Sequence, residues 1–305
     1  MHDANAFHAR PTPAAPHVPT SPASRRAGPG AGSRRLILPL VLSLSAAAGC
    51  SRSSKAAANA RDSAARDSAA AADAPSDAPR APISATGYAP GETSAVGSVR
   101  GSVELSGDAP ADSVARPTSD QEVCGDSLSV RAIEHDGTHL AGVVVWLEGV
   151  KRGKRIPLER RFDLSIEGCQ MTPRVQAVLA GGTLNLHNTD ALVHRARFLR
   201  QGTRAPVASA SYSDEGQVVP MTTPLRKAGL LEVRCDVHPW ARAWIAVFDH
   251  PYFRTTERDG AFTLDSVPAG RYTLVAWHPR LGVVRQEVTV EAGKEAAVTV
   301  TMKAK

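Results

Sequence analysis

The sequence predicts an all-β protein, and three observations carry that expectation. Beyond Val96 the apolar residues come in short runs rich in Val, Leu and aromatics, the composition of pleated, half-buried strands. Gly, Pro, Asp and Asn separate the runs, as turn chemistry requires. No stretch in this part keeps the periodicity of a long amphipathic helix. The runs are Val99–Leu105, Val143–Leu147, Val175–Ala180, Thr183–Asn188, Leu230–Cys235, Ala243–Phe248, Phe262–Leu264, Tyr272–Trp277 and Val283–Val290. Many short strands with turns between them point to sandwiches or barrels. A chain of 305 residues has room for two such domains plus accessory segments.

The residues before Val96 read differently. Met1 to Gly32 is rich in Pro, Ala and Ser and shows no apolar periodicity. Ser33-Arg34-Arg35 then leads into an apolar run from Leu36 to Ala48, closed by Gly49-Cys50. A basic flank, a short apolar stretch and a small-residue exit describe a secretory signal, too short to span a membrane. Ser33-Arg34-Arg35-Leu36 also fits twin-arginine export, so both routes stay open. Ala47-Ala48-Gly49-Cys50 resembles the bacterial lipobox, in which the cysteine is acylated and becomes the first mature residue. Ala47 stands where that pattern usually has Leu, and cleavage at a small-residue site without acylation is the alternative. The resemblance implies a protein anchored by lipid at Cys50 in the periplasm or at the cell surface.

Residues 51–95 are Ala, Ser, Asp, Arg and Pro, with the doublet Arg61-Asp62-Ser63-Ala64-Ala65 and Arg66-Asp67-Ser68-Ala69-Ala70. Such a segment has too little apolar surface to offset its ordering entropy, and is expected to be a disordered tether. The formal net charge of +6 belongs mainly to the signal. Residues 1–50 hold five arginines against one acid, and 51–95 balance. From Val96 onward 26 basic residues face 24 acidic ones, which excludes the charge footprint of a nucleic-acid binder. Glycine-rich phosphate loops, Gly-x-Ser-x-Gly, His-Glu-x-x-His and Cys-x-x-Cys-His are all missing, so the expectation is a protein that is not an enzyme.

One segment carries chemistry. The strand Leu230–Cys235 is followed by Asp236-Val237-His238-Pro239-Trp240. A thiolate and an imidazole three residues apart on a strand-end loop can turn toward one metal, and one Cys with two His suits copper. A second imidazole is expected from elsewhere in the fold, and the segment Gly181–His194 supplies it. Together these stretches resemble plastocyanin-like and azurin-like cupredoxins, which place an Asn at the strand end, a His after the loop, and Cys-x-x-His much later. The resemblance covers roughly residues 165–250 and implies a Greek-key sandwich with one copper held by His194, Cys235 and His238. Asn188 takes the place of the Asn that pins the ligand loop. The pattern also has a Met a few residues after the third ligand. Here Ala241, Arg242 and Ala243 stand there, which leaves Met171, Met221, a carbonyl near Val193 or water as the axial choices.

The C-terminal fifty-five residues carry Asp259-Gly260, Phe262-Thr263-Leu264, Val267-Pro268-Ala269-Gly270 and Tyr272-Thr273-Leu274. This order resembles the carboxypeptidase regulatory-like domain, a small transthyretin-like sandwich. The closer resemblance is to bacterial exported proteins that fuse the two. It implies a signal at 1–50, a tether at 51–95, a cupredoxin-like sandwich at 96–250 and a regulatory-like sandwich at 251–305. Whether residues 96–165 make a sandwich of their own is open.

With Cys50 acylated and Cys235 at a metal, Cys124 and Cys169 are expected to pair in an oxidising compartment. A second thiolate at the metal is the alternative. The cluster Lys151, Arg152, Lys154, Arg155, Arg160 and Arg161 reads as a solvated hairpin face or as a dock for an acidic redox partner. His187 is expected to face solvent, and His250 and His278, each before Pro, to satisfy turns or support the site. Three functions fit: one-electron transfer through copper, copper storage or delivery, and a metal-free module that binds carbohydrate or protein.

Overall fold

A computed structural model describes residues 78–304, and these are strand almost throughout. Among them one four-residue helix, Gln121–Cys124, and one 3-10 turn, Thr223–Arg226, are the helical elements. The signal, Cys50 and the tether as far as residue 77 lie outside the described residues.

Two sandwiches account for the strands. The first has a four-stranded sheet in the order Gln170–Thr172, Arg161–Glu167, Thr183–Asn188, Val218–Met221. Its facing five-stranded sheet runs Val175–Leu179, Arg242–Phe248, Gly229–Cys235, His194–Arg200, Pro206–Tyr212. Leu164, Ile166, Leu184, Leu186, Phe198, Leu231, Val233 and Ile245 fill the space between them. Thr183–Asn188 alternates as a one-sided strand should: Leu184, Leu186 and Asn188 are buried while Thr183, Asn185 and His187 face outward.

The second sandwich is built from both ends of the described chain. One sheet runs Phe253–Thr255, Val144–Glu148, Gly270–His278, Gly282–Val290. The other is centred on Val96–Ser106, which pairs antiparallel with Ala261–Pro268 and parallel with Glu295–Lys303. Val99, Val103, Val145, Leu147, Phe262, Leu264, Leu274 and Met302 form its core. This corrects the domain boundaries expected from the sequence. Residues 96–148 do not belong with 161–248, and the first sandwich is instead inserted into the second. A strand's apolar pattern says that one face is buried and leaves open which sheet buries it.

The two sandwiches meet back to back. Trp244, Ala246 and Phe248 from the inserted one pack with Val144, Trp146, Val275 and Trp277 from the split one in a third apolar cluster. Arg242–Phe248 is therefore buried on both faces after its first residue, which is why it reads as a continuous apolar run without alternation.

The expected disorder of the tether also needs correction at its C-terminal end. From residue 78 the chain is docked across this seam. Trp277 Nε1 donates to Pro79 O at 2.8 Å, and Ala81 N–H donates to Gln201 Oε1 at 2.9 Å. Asp249 accepts from the Thr86 and Gly87 N–H groups, and Tyr88 OH donates to Lys154 O. Side chains and backbone of the folded part supply the partners, and Ala81, Ile83 and Tyr88 pack against its apolar clusters, so the segment is ordered.

Candidate metal centre

Three side chains converge at one end of the inserted sandwich. His194 opens one strand of the five-stranded sheet, and Cys235 closes the neighbouring one. The pairing of Ala196 with Cys235 brings these two strand ends side by side. The turn after Cys235 is closed by Ala241 N–H donating to His238 O at 2.9 Å and Cys235 N–H donating to Ala241 O at 3.1 Å. It folds His238 back over the strand end. Cys235 Sγ lies 3.8 Å from His194 Nδ1 and 3.8 Å from His238 Nδ1, and the two Nδ1 atoms are 3.0 Å apart. All three residues are buried.

Asn188 pins the loop that delivers His194. Its Nδ2 donates to Leu192 O and Asp214 O, each at 3.2 Å, and its Oδ1 accepts from Asp190 N–H at 3.2 Å. Asp190, which sequence reasoning missed, is the next link. It accepts from the Gly168 and Cys169 N–H groups at 2.7 and 2.9 Å, and its Oδ2 faces His194 Nε2 at 3.0 Å. Its position four residues before His194 in a polar loop is the one signal that marks it. Asp120, also missed, has no such signal. It sits in the left-handed region at φ 59° beside the helix Gln121–Cys124, and its Oδ2 lies 3.4 Å from His238 Nε2, an ion-pair distance without hydrogen-bond alignment.

Both imidazoles thus present Nε2 to a carboxylate, which favours the proton on that nitrogen and leaves the lone pair on Nδ1. Two nitrogen lone pairs and a thiol sulfur then face one another across 3.0 and 3.8 Å. A cation between them satisfies all three. Metal bonds of about 2.0 Å to nitrogen and about 2.3 Å to sulfur span donor separations of about 3 to 4 Å, so the donor set fits a small thiophilic ion. Burial pushes both imidazole pKa values down, and the mutual repulsion of the rings adds to this at His194. Asp190 and Asp120 oppose the shift at His194 and His238 respectively. Burial pushes the Cys235 thiol up, against backbone N–H groups of Arg195, His238 and Val237 that favour the thiolate. Lower pKa values keep the imidazoles neutral and able to ligate, while the raised thiol resists ionisation until a cation offsets it.

The cover over His238 comes from outside the inserted sandwich. Cys124 and Cys169 are joined in a disulfide, with Cα atoms 5.3 Å apart. It closes a 45-residue loop and ties the Gln121–Cys124 helix over the site. A sulfur from each half-cystine and a His238 ring nitrogen all lie within 4.8 Å of one another. Trp240 Nε1 donates to Cys169 O at 3.0 Å, and its ring lies 5.4 Å from that of His238. Neither imidazole presents an edge to the surface: His194 is 0% and His238 1% exposed.

The remaining candidates separate clearly. Ala241, where the resembled pattern has Met, is buried, Met171 lies in the same core as Cys235 and Met221 at its margin. His187 points away from the site and bonds Asp163 at 2.8 Å. His250 and His278 satisfy turns, each accepting a backbone N–H two residues on. The basic cluster is dispersed among partners: Lys151 donates to Thr86 O, Lys154 pairs with Asp265, Arg160 donates to Ala180 O and Arg161 pairs with Glu159.

Residues 238–303 match the model of the carboxypeptidase regulatory-like domain. The match begins within the inserted sandwich and covers the second half of the split one. No curated protein is similar enough to count as a match. Among solved structures, a purple cupredoxin from Nitrosopumilus maritimus is 14% identical, with a TM-score of 0.24, over 28% of this chain and 98% of its own. A copper-containing nitrite reductase from Thermus scotoductus is 20% identical, with a TM-score of 0.26, over 32% of this chain and 24% of its own. An amicyanin variant in its reduced state is 21% identical, with a TM-score of 0.25, over 28% of this chain and 81% of its own.

Proposed function

We propose that this chain is an exported, lipid-anchored protein whose inserted sandwich holds one copper ion through His194 Nδ1, Cys235 Sγ and His238 Nδ1, and that it carries single electrons without catalysing a reaction of its own. The convergence of those three donors, with both outer imidazole nitrogens held against carboxylates, carries the reading. When bound, copper supplies a one-electron couple whose potential depends on its axial environment and on the hydrogen bonding around the sulfur. The protein's own part is to fix the donors. The sheet sets the strand ends, Asn188 holds the His194 loop, and Asp190 and Asp120 orient the rings. The disulfide and Trp240 exclude water from the His238 side. Burial on rigid strands limits the rearrangement that a change of charge demands. The anchor at Cys50 and the place of work outside the cytoplasm rest on the sequence.

A second reading, copper storage or delivery, is favoured by two observations. Both imidazoles are buried, which suits holding a metal better than passing an electron from a ring edge, and Ala241 supplies no axial thioether, which leaves one coordination position without a donor from this loop. The same experiment tests both. Purified chain is loaded with Cu(II) and its visible absorption recorded. An intense thiolate-to-copper band that vanishes in Cys235→Ser is expected, and the absence of both band and bound metal overturns the site. A reversible voltammetric wave separates the carrier from the store.

A further inference from the structure

Trp240, whose ring lies 5.4 Å from that of His238, also lines a cleft of about 520 Å3, within the size range of small-molecule sites. It sits at the seam of the two sandwiches. Two indole rings, Trp240 and Trp244, line it together with Arg174, Arg242 and Arg280, and the exposed side chain of Val114 and three prolines complete its walls. Arg174 lies over the Trp244 ring at 5.3 Å. Trp244 is only 3% exposed, and its indole N–H has no acceptor among the described residues. A buried donor left unmade is costly, and this one belongs to a residue that lines the cleft.

The charged side chains that line the cleft are all arginines, while Glu134 and Asp112 stand near Arg174 and Glu232 pairs with Arg242. Burial lowers the Arg174 pKa, and its neighbours Arg280 and Arg242 lower it further, against Glu134 and Asp112. The same two guanidinium groups, Arg174 and Arg280, add to burial in pushing His278 down to about 3. Planar walls call for a planar apolar body, and delocalised guanidinium groups call for a carboxylate or sulfonate that accepts from their forks.

We infer that this cleft binds a small organic anion with a flat apolar body, such as an aromatic carboxylate, against Trp240, Trp244, Arg174 and Arg280. Trp240 lines this cleft and its ring lies beside that of His238, so an occupant would sit close to one indole away from the proposed metal. The binding itself does not depend on metal and is measured on the metal-free chain.

The probes are 2-naphthoate and 2-naphthol, which share a ring system and differ in charge at neutral pH, titrated by calorimetry. Saturable one-to-one binding of naphthoate is expected, with naphthol about tenfold weaker or worse, the worth of one charge-assisted hydrogen bond. Arg280→Gln, at an exposed position that leaves the fold intact, is expected to weaken naphthoate about tenfold and leave naphthol unchanged. Arg174→Gln should act in the same direction. Equal affinities for the two probes, no saturable binding of naphthoate, or an unchanged affinity in Arg280→Gln would each overturn the inference.

Discussion

Three buried histidines in this molecule stand immediately before a proline: His238, His250 and His278. The dipeptide is the same and the outcome is not. At His250 and His278 the ring closes its own turn, Nδ1 accepting the N–H of Tyr252 and of Arg280, each at 3.2 Å. At His238 the turn is closed by backbone instead, through Ala241 N–H and His238 O. That leaves Nδ1 free to face Cys235 and His194. The difference teaches where a site comes from. A histidine whose turn already consumes Nδ1 is structural, and one released from that duty becomes a donor when other donors are brought to it.

The comparison can be broken in several ways. The largest effect is expected from Cys124→Ser with Cys169→Ser. Opening a 45-residue loop should cost about 4 kcal/mol by loop-closure entropy, read from urea unfolding. Hydrogen exchange should show the His238 turn losing protection while the turns at 250 and 278 keep theirs, since only the first lies under the tied helix. Equal loss at all three would dissolve the contrast.

Acid should act on the other two turns. Burial lowers His250 to about 4 and His278 to about 3. Both are neutral when folded, whereas an unfolded histidine takes up its proton near 6.5. The stability they contribute is therefore complete above about pH 6.5 and is lost as pH falls toward the folded values, by roughly 3 kcal/mol for His250 and roughly 5 kcal/mol for His278. His250→Asn and His278→Asn keep an acceptor for the turn and remove the titration. Each should flatten the decline of the urea midpoint between pH 6.5 and 4.5. An undiminished slope in both variants would assign acid sensitivity elsewhere.

Smaller effects sharpen the roles within the site. Asp190→Asn keeps the shape and weakens the orientation of His194. Copper affinity should drop about tenfold to a hundredfold, as for outer groups that hold a ligand ring, measured by competition with a chelator of known affinity. His250→Asn should leave that affinity unchanged. Smallest of all, His187→Ala removes a half-exposed contact to Asp163 and should change stability by less than about 0.5 kcal/mol.

Much of this architecture was legible before any coordinates. Thr183–Asn188 could be read residue for residue because it alternates cleanly. Cys235, His238 and His194 stood out because their residue types and spacing serve one chemistry. The Cys124–Cys169 pair followed from counting thiols. Less legible were the strands His194–Arg200 and Pro206–Tyr212, where arginine and serine interrupt the apolar pattern at outward positions. The place of residues 96–148 was not legible, because Val96–Ser106 finds its two long partners after residue 260 and meets the nearer strand His139–Ala141 only through Glu104 and His139. Asp120 was invisible because a carboxylate in a polar turn looks like any other until a helix tied by a disulfide lays it on an imidazole.

The sequence by itself determined the class of structure and singled out the candidate metal donors and the expected thiol pair, because local pattern and side-chain chemistry are written along the chain. Tertiary structure alone decided which strands share a sheet, that one sandwich sits inside the other, and that the site is capped from outside. These depend on contacts between residues far apart in sequence, and an apolar face fits many partners until packing selects one. The same physics sorted the three His-Pro turns, leaving one ring nitrogen without a turn to close and placing it beside a thiol.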